Sequence, residues 1–97
     1  MTLPVVLTRD AETDFDSAAD WYEQQAGLGT AFTLRVRDVL ARIGGMPELH
    51  AVLSHGLRRA RVDGFPYCVY YRVGSERVEV VAILHARRDP SIWMNRG

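Results

Sequence analysis

The apolar residues of this chain follow two different periods, and the change between them is the strongest constraint on its fold. Between residues 8 and 46 they recur every three or four positions, which indicates amphipathic helices. Between residues 57 and 85 they alternate with polar residues, which indicates half-buried strands. Helices followed by antiparallel strands predict an α+β fold, with the helices on one face of the sheet.

The helical half divides into two segments. A short apolar strand over residues 3–7 precedes them, and Thr8 is suited to cap the first helix. Gly27 to Gly29 ends that helix, Thr30 begins the second, and Gly44-Gly45 ends it. One apolar stripe on each helix predicts an antiparallel hairpin. The stripe residues are Ala11, Phe15, Ala18, Ala19, Tyr22, Phe32, Val36, Val39, Leu40 and Ile43.

The second half predicts a three-stranded antiparallel sheet and a short final helix. The strands are residues 57–62, 67–73 and 77–85, and residues 47–56 are predicted to be a loop. Asp89-Pro90 is typical of the first turn of a helix. Strict alternation along the last strand places every second side chain toward the helix hairpin. The side chains expected there are Val78, Val80, Ala82 and Leu84; those expected on the opposite face are Glu79, Val81, Ile83 and His85.

Length and composition predict one soluble domain over residues 1–97. The single cysteine, Cys68, excludes an internal disulfide and favours a reducing compartment, so we expect a cytoplasmic protein. No apolar run is long enough for a bilayer, so no membrane partner is expected. His50 and His55 have no third ligand nearby, and we predict neither a metal nor another cofactor.

The charges are divided between the two halves of the chain. The formal net charge is zero, and all twelve basic residues are arginines. Residues 1–50 hold four arginines and eight acids, a net charge of −4, whereas residues 51–97 hold eight arginines and four acids, a net charge of +4. A basic half predicts contact with nucleic acid or an acidic protein. The alternative is that the two halves simply pair with each other in the fold.

Guanidinium, imidazole and aromatic groups are concentrated around the predicted strands and at the end of the last one. If neighbouring strands bring them together, they form a cationic recess that binds phosphate or a carboxylate-rich target. The residues predicted for it are Arg59, Arg61, Arg72, Arg87, Arg88 and Trp93. The alternatives are solvated arginines and a Trp93 that packs a terminal helix. Because arginine stays protonated, only a histidine is suited to proton transfer near neutral pH, and the candidates are His85, His55 and His50. The alternative for His85 is a structural role at the end of its strand.

Several motifs in this order resemble the RelE/ParE superfamily of toxins from bacterial type II toxin–antitoxin pairs. The most specific are the F-P-Y run at residues 65–67, the Y-R pair at residues 71–72, and H-x-R-R-x-P-x-x-W at residues 85–93. The first helix carries W-Y-E-x-Q at residues 21–25, followed by G-L-G and Phe32. Together these motifs extend the resemblance over most of the chain.

The resemblance implies a helical hairpin on a small, mainly antiparallel sheet. It also implies a growth inhibitor that takes part in plasmid stabilization and forms a hetero-oligomer with an antitoxin. The antitoxin's flexible C-terminal tail is expected to fold across a groove of the toxin. We assign Trp21, Tyr22, Phe32 and Arg58 to that contact, with core packing as the alternative role of Tyr22 and Phe32.

The family divides by mechanism, and the resemblance leaves the target open. RelE-like members cut messenger RNA, usually in the ribosome; ParE-like members inhibit DNA gyrase without covalent chemistry. This chain has no Lys, and residues 86–97 contain no Tyr or Glu, which removes several groups that RelE-like nucleases use. We therefore predict a ParE-like inhibitor that is not an enzyme. The alternatives are a ribosome-dependent endonuclease with His85 as the catalytic acid or base, and a non-toxic antitoxin-binding module.

Overall fold

A five-stranded sheet with two long helices on one face and one short helix on the other makes up the architecture. The computed structural model describes residues 2–96. The elements in chain order are β1 (Val5–Leu7), α1 (Arg9–Ala26), α2 (Gly29–Gly45), β2 (Val52–Ser54), β3 (Leu57–Arg61), β4 (Tyr67–Val73), β5 (Val78–His85) and α3 (Pro90–Met94). The α+β prediction is thus confirmed, including the helix hairpin and the short C-terminal helix.

Local sequence signals explain where the helices begin and end. The N–H of Ala11 donates to Oγ1 of Thr8, 3.2 Å away, so Thr8 caps α1 as predicted. Gly27 ends α1 in the left-handed conformation, with φ of 66°. Helix α2 begins at Gly29, one residue before the predicted start, because the Glu23 carboxylate accepts from the Gly29 N–H at 3.0 Å. Asp89 caps α3 through the Ser91 N–H, as predicted.

The prediction of three strands is wrong, because the sheet has five in the order β1-β5-β4-β3-β2. The N-terminal strand β1 joins the same sheet, parallel to β5. Strand β2 lies inside the stretch predicted as a loop and pairs antiparallel with β3. Its side chains Val52 and Leu53 are both largely exposed, so the segment lacks the alternation by which a strand is recognised in a sequence.

Each face of the sheet has its own apolar core. The helix hairpin covers one face, here called the hairpin face, and α3 covers part of the other, here called the α3 face. The hairpin-face core is built from Ala11, Ala18, Phe32, Val36, Val39, Ile43, Ala60, Val62, Val69, Tyr71, Val78, Val80 and Ile83. The α3-face core is built from Leu57, Cys68, Tyr70, Val81, Ala82, Leu84 and Trp93. Strand β5 contributes to both, as expected of an interior strand.

A bulge in β5 changes which side chains face the helices. Tyr70 pairs with Ala82 and Tyr71 with Val80, so Val81 is an extra residue in β5. The inserted residue shifts the alternation by one, and Ile83 joins the hairpin-face core. The predicted faces of Ala82, Leu84, Ile83 and His85 are therefore wrong, while those of Val78, Val80 and Val81 are right. The bulge also places His85 on the hairpin face, opposite Tyr67 of β4.

The β2–β3 turn holds a residue that is poorly suited to its backbone conformation. His55 has φ of 55° and Gly56 has φ of 72°. Two successive left-handed residues form the hairpin turn for which Asn-Gly is preferred. We expect His55→Asn to raise the free energy of unfolding by about 0.5–1 kcal/mol, measured by chemical denaturation.

Gly56→Ala is the matched control for the same turn. A Cβ at this position meets no atom within 4 Å, so its effect is confined to the backbone. We expect a loss of about 1 kcal/mol. If His55→Asn has no effect or destabilises the protein while Gly56→Ala costs the expected amount, the left-handed conformation of His55 does not limit stability.

Candidate functional site

Three of the predicted arginines lie together on the α3 face. Arg59 is directly opposite Tyr70, and Arg61 is directly opposite Cys68, so all four side chains project to the same side of the sheet. Arg72 is two residues beyond Tyr70 on β4 and projects to that side as well. We call Arg59, Arg61 and Arg72 the arginine face.

Only two members of the arginine face present unpaired charge. Arg72 forms an ion pair with Glu79, at 2.6 Å between Nη2 and Oε1, across the β4–β5 pair. Arg59 and Arg61 are exposed and form no ion pair with any acidic side chain of residues 2–96. They are therefore available to an external phosphate or carboxylate.

Trp93, from α3, packs on this same face of the sheet and is buried there. It is 6% exposed, and its indole stacks on the Tyr70 ring with centroids 4.8 Å apart and an interplanar angle of 14°. Burial raises the pKa of Tyr70, with the adjacent Cys68 adding to the shift and Arg59 opposing it. Of the two interpretations of Trp93, packing is the one that the structure supports.

Four of the other predicted residues, Trp21, Tyr22, His85 and Arg88, line a separate groove on the hairpin face, between α1 and the end of β5. We call it the α1 groove; its volume is about 690 Å³. Trp21 is the exposed aromatic residue of its wall, with 55% of its surface accessible. The lining residues are Asp14, Ser17, Ala18, Trp21, Tyr22, Pro66, Tyr67, Ile83, Leu84, His85 and Arg88.

His85 and Arg88 lie at one end of the α1 groove, where Arg88 supplies the positive charge. The Arg87 N–H donates to Nδ1 of His85 at 3.0 Å, which leaves Nε2 as the nitrogen for an external partner. The His85 ring meets Tyr67 edge to face, with centroids 5.5 Å apart. Burial raises the pKa of Tyr67, an effect that Arg88 opposes and Asp14 reinforces. Arg88 forms no ion pair within the described part of the chain.

The expectation of a single cationic recess beside Trp93 is wrong. Arg59, Arg61 and Arg72 lie on the α3 face, whereas His85 and Arg88 lie in the α1 groove on the hairpin face. The exposed Arg87 follows His85 in the turn before α3. The β5 bulge causes this division, because without the extra residue His85 would project to the same side as the arginine face.

The four residues assigned to antitoxin contact also lie in different parts of the structure. Trp21 is exposed and Tyr22 is half-buried beside it, with ring centroids 5.1 Å apart. Phe32 is fully buried under Phe65 and Tyr67, so the core role is the one that the structure supports. Arg58 lies away from the α1 groove, where its Nη1 donates to the carbonyl of His50 at 2.5 Å.

Asp14 is a groove residue that the sequence analysis did not select. Its carboxylate accepts from the Ile83 N–H at 3.1 Å and from Nη1 of Arg96 at 2.5 Å, so it connects α1, β5 and the segment after α3. In the sequence it is one of several acids along α1, and nothing local distinguishes it. Its partners are 69 and 82 residues away along the chain.

In residues 2–96, no group of three or more His, Cys, Asp or Glu side chains is placed to hold a metal ion. No helix in the same range combines the length and apolar character needed to span a membrane.

Comparison with known proteins identifies the family. A family profile described as the ParE toxin of the type II toxin–antitoxin system, parDE, matches residues 5–90. A solved structure described as the chromosomal ParDE TA system from P. aeruginosa superposes with a TM-score of 0.65 at 19% identity, covering 87% of this chain and 96% of that one. No curated protein sequence matches significantly.

The fold, its helix hairpin on a mainly antiparallel sheet, and the spaced C-terminal motif define a toxin of the RelE/ParE superfamily. Within it, this chain belongs to the ParE toxin family of type II toxin–antitoxin systems, because the ParE profile matches residues 5–90 of its 97 residues.

Proposed function

We propose that this chain arrests growth in the cytoplasm by inhibiting DNA gyrase through its arginine face, without cutting nucleic acid, and that an antitoxin neutralises it as a hetero-oligomer. The observation that carries the choice of mechanism is the division of the cationic groups. A nuclease needs its proton-transfer group and its phosphate-binding cations around one scissile phosphate. Here His85 and the arginine face lie on opposite sides of the sheet, and Arg88 is the one predicted phosphate-binding arginine that lines the groove of His85.

The exposed charges of Arg59 and Arg61 support a binding role. Two guanidinium groups on one face of a strand provide planar donors suited to phosphates or carboxylates of a macromolecular target. Because neither is paired with an acid within residues 2–96, binding does not first require an internal ion pair to break.

We expect the double variant R59E/R61E to inhibit purified gyrase at least about tenfold less strongly than the natural chain in a plasmid supercoiling assay, because each reversal replaces an attraction by a repulsion. His85→Ala is expected to retain inhibition. The matched control is R35E/R37E on α2, which makes the same change in net charge away from the arginine face.

The same set of variants distinguishes the alternatives. New cuts in cellular messages on induction, lost in His85→Ala, would establish the ribosome-dependent endonuclease instead. Induction that leaves growth, supercoiling and messages unchanged would favour a non-toxic antitoxin-binding module. Equal loss of inhibition in R59E/R61E and R35E/R37E would assign the effect to net charge and exclude a specific arginine face.

The α1 groove is the surface that we propose for the antitoxin tail. Trp21 and Tyr22 offer apolar contacts, Arg88 offers positive charge at one end, and Nε2 of His85 offers a hydrogen-bond donor. Restoration of growth by co-expression of the product of the adjacent reading frame is the expected result. Loss of that rescue in Trp21→Ala, with toxicity unchanged, would localise the contact.

A further inference from the structure

The sheet ends in two edge strands, β1 and β2, which differ in how they are protected. Strand β1 follows Pro4 and lies against the end of α2, where the Leu3 N–H donates to the Gly44 carbonyl at 2.9 Å. A proline and a covering element are two ways in which proteins block a strand edge. Strand β2 has neither. It pairs with β3 on one side, and no strand of residues 2–96 pairs with its other side.

The side chains of β2 are exposed and uncharged. Val52 is 53% exposed and Leu53 is 45% exposed, and residues 51–54 contain no acidic or basic side chain. Leu53 is an extra residue with none opposite it on β3, because the register shifts between Val52 and Ser54. Edge strands commonly carry a charged residue that prevents pairing with another chain. The β2 edge has only its short length and this bulge, so it is the edge to which a further strand can be added.

The β2 edge is complementary to a second copy of itself. Antiparallel pairing of two identical strands has a two-fold axis perpendicular to the sheet, and the same residues face the axis from both chains. A charged residue there would meet a like charge, which destabilises the pair. Residues 51–54 avoid that cost because they are uncharged. Val52 and Leu53 would bury apolar surface that is otherwise in water. A second copy is therefore the occupant that fits this edge.

The same axis determines where the two arginine faces lie. Because it is perpendicular to the sheet, the α3 faces of both copies are on one side. The strand order at the junction would be β3-β2-β2-β3, which puts the two β3 strands three strand spacings apart, about 14 Å. This distance exceeds the Debye length of about 8 Å at physiological salt. Repulsion between Arg59 and Arg61 of one copy and those of the other is therefore largely screened.

We propose that this chain forms a two-fold dimer by antiparallel pairing of β2 with β2 of a second copy. The two sheets then join into one of ten strands, with Arg59 and Arg61 of both copies exposed on the same side. The α1 groove lies toward the other edge of each sheet, beside β5, and stays accessible in the dimer. Because β2 has only three residues, the interface is small, and we expect a Kd of about 10–100 μM.

Analytical ultracentrifugation of the purified natural chain, from about 1 to about 500 μM, measures the monomer–dimer equilibrium on both sides of the expected Kd. Leu53→Lys places like charges beside the two-fold axis and is expected to weaken self-association by at least about tenfold. Leu34→Lys on α2 makes the same change at a position that is 56% exposed and far from β2 in the fold. It is the matched control and is expected to leave the Kd unchanged.

An introduced thiol tests the same interface by a gain of signal. The natural Cys68 is 3% exposed, so a cysteine at position 53 or 34 is the accessible thiol of its variant. Under mild oxidation at equal concentration, Leu53→Cys is expected to form an intermolecular disulfide at least about tenfold faster than Leu34→Cys, because residues beside a two-fold axis are held close together. If Leu53→Lys fails to fold, this comparison decides the question.

A natural chain that stays monomeric over the whole concentration range overturns the β2 dimer. A dimer that Leu53→Lys leaves unchanged, or that both lysine variants weaken equally, overturns it as well. Equal rates of disulfide formation at positions 53 and 34 have the same meaning. The dimer depends on neither gyrase nor the antitoxin, so each of these results leaves the proposed function to the supercoiling and rescue experiments.

Discussion

Replacing Phe32 by alanine is expected to lower the free energy of unfolding by about 3–5 kcal/mol, the largest effect of any single change considered for this chain. Phe32 is fully buried, and its ring stacks with Tyr22 at 5.1 Å between centroids. It also meets Phe65 and Tyr67 edge to face, at 5.1 and 5.2 Å. Truncation would leave a cavity between the helix hairpin and the sheet, with several rings deprived of contact.

Chemical denaturation of Phe32→Ala and of the less disruptive Phe32→Leu measures this loss. Trp21→Ala is the matched control, because it removes an aromatic ring that is 55% exposed. It is expected to change the free energy of unfolding by less than about 0.5 kcal/mol. If Phe32→Ala lowers the free energy of unfolding as little as Trp21→Ala does, the assignment of Phe32 to the core is contradicted and its side chain must lie at the surface.

Asp14→Ala is expected to destabilise the chain by about 2–4 kcal/mol. The Asp14 side chain is 12% exposed and that of Arg96 is 23% exposed. Removing the carboxylate leaves the Ile83 N–H without its acceptor, and it leaves the Arg96 guanidinium with the Val81 carbonyl at 3.3 Å and the more distant Asp10 carboxylate at 3.8 Å. The same change would loosen the connection between α1 and the segment after α3.

A double-mutant cycle with Arg96→Gln isolates the ion pair from the backbone bond. Asp14→Asn retains an oxygen for the Ile83 N–H and is expected to cost less than Asp14→Ala, by about 1 kcal/mol or more. The cycle is expected to give a coupling energy of about 1–2 kcal/mol between Asp14 and Arg96. A coupling near zero, with Asn and Ala equally destabilising, would show that neither hydrogen bond contributes to stability.

The elements that could be predicted from sequence are those whose signals are local. Thr8 and Asp89 cap helices because their own side chains reach N–H groups two or three residues away. The apolar stripes of α1 and α2 and the alternation of β4 result from burial of one side of a regular element. The motif spacing from residue 65 to residue 93 identified the superfamily before any contact was known.

Strand β2 and the faces of β5 could not be predicted in this way. Val52 and Leu53 lie at the sheet edge with both side chains largely exposed, so only their pairing with β3 makes them a strand. The bulge at Val81 is invisible in an almost continuously apolar segment, because valine, alanine, isoleucine and leucine fit either core. Strict alternation was the only available rule, and one inserted residue reverses it.

The sequence by itself determined the fold class, the helix boundaries to within a residue at the caps, the family, and the excess of arginine in its second half, since each depends on neighbouring residues or on composition. Only the tertiary structure decided on which side of the sheet the side chains at the end of β5 and the cationic groups lie. Pairing between β4 and β5 forces Val81 out of register and sends His85 into the α1 groove, while Arg59 and Arg61 remain on the α3 face. That register is set by packing two cores at once, which no local pattern encodes.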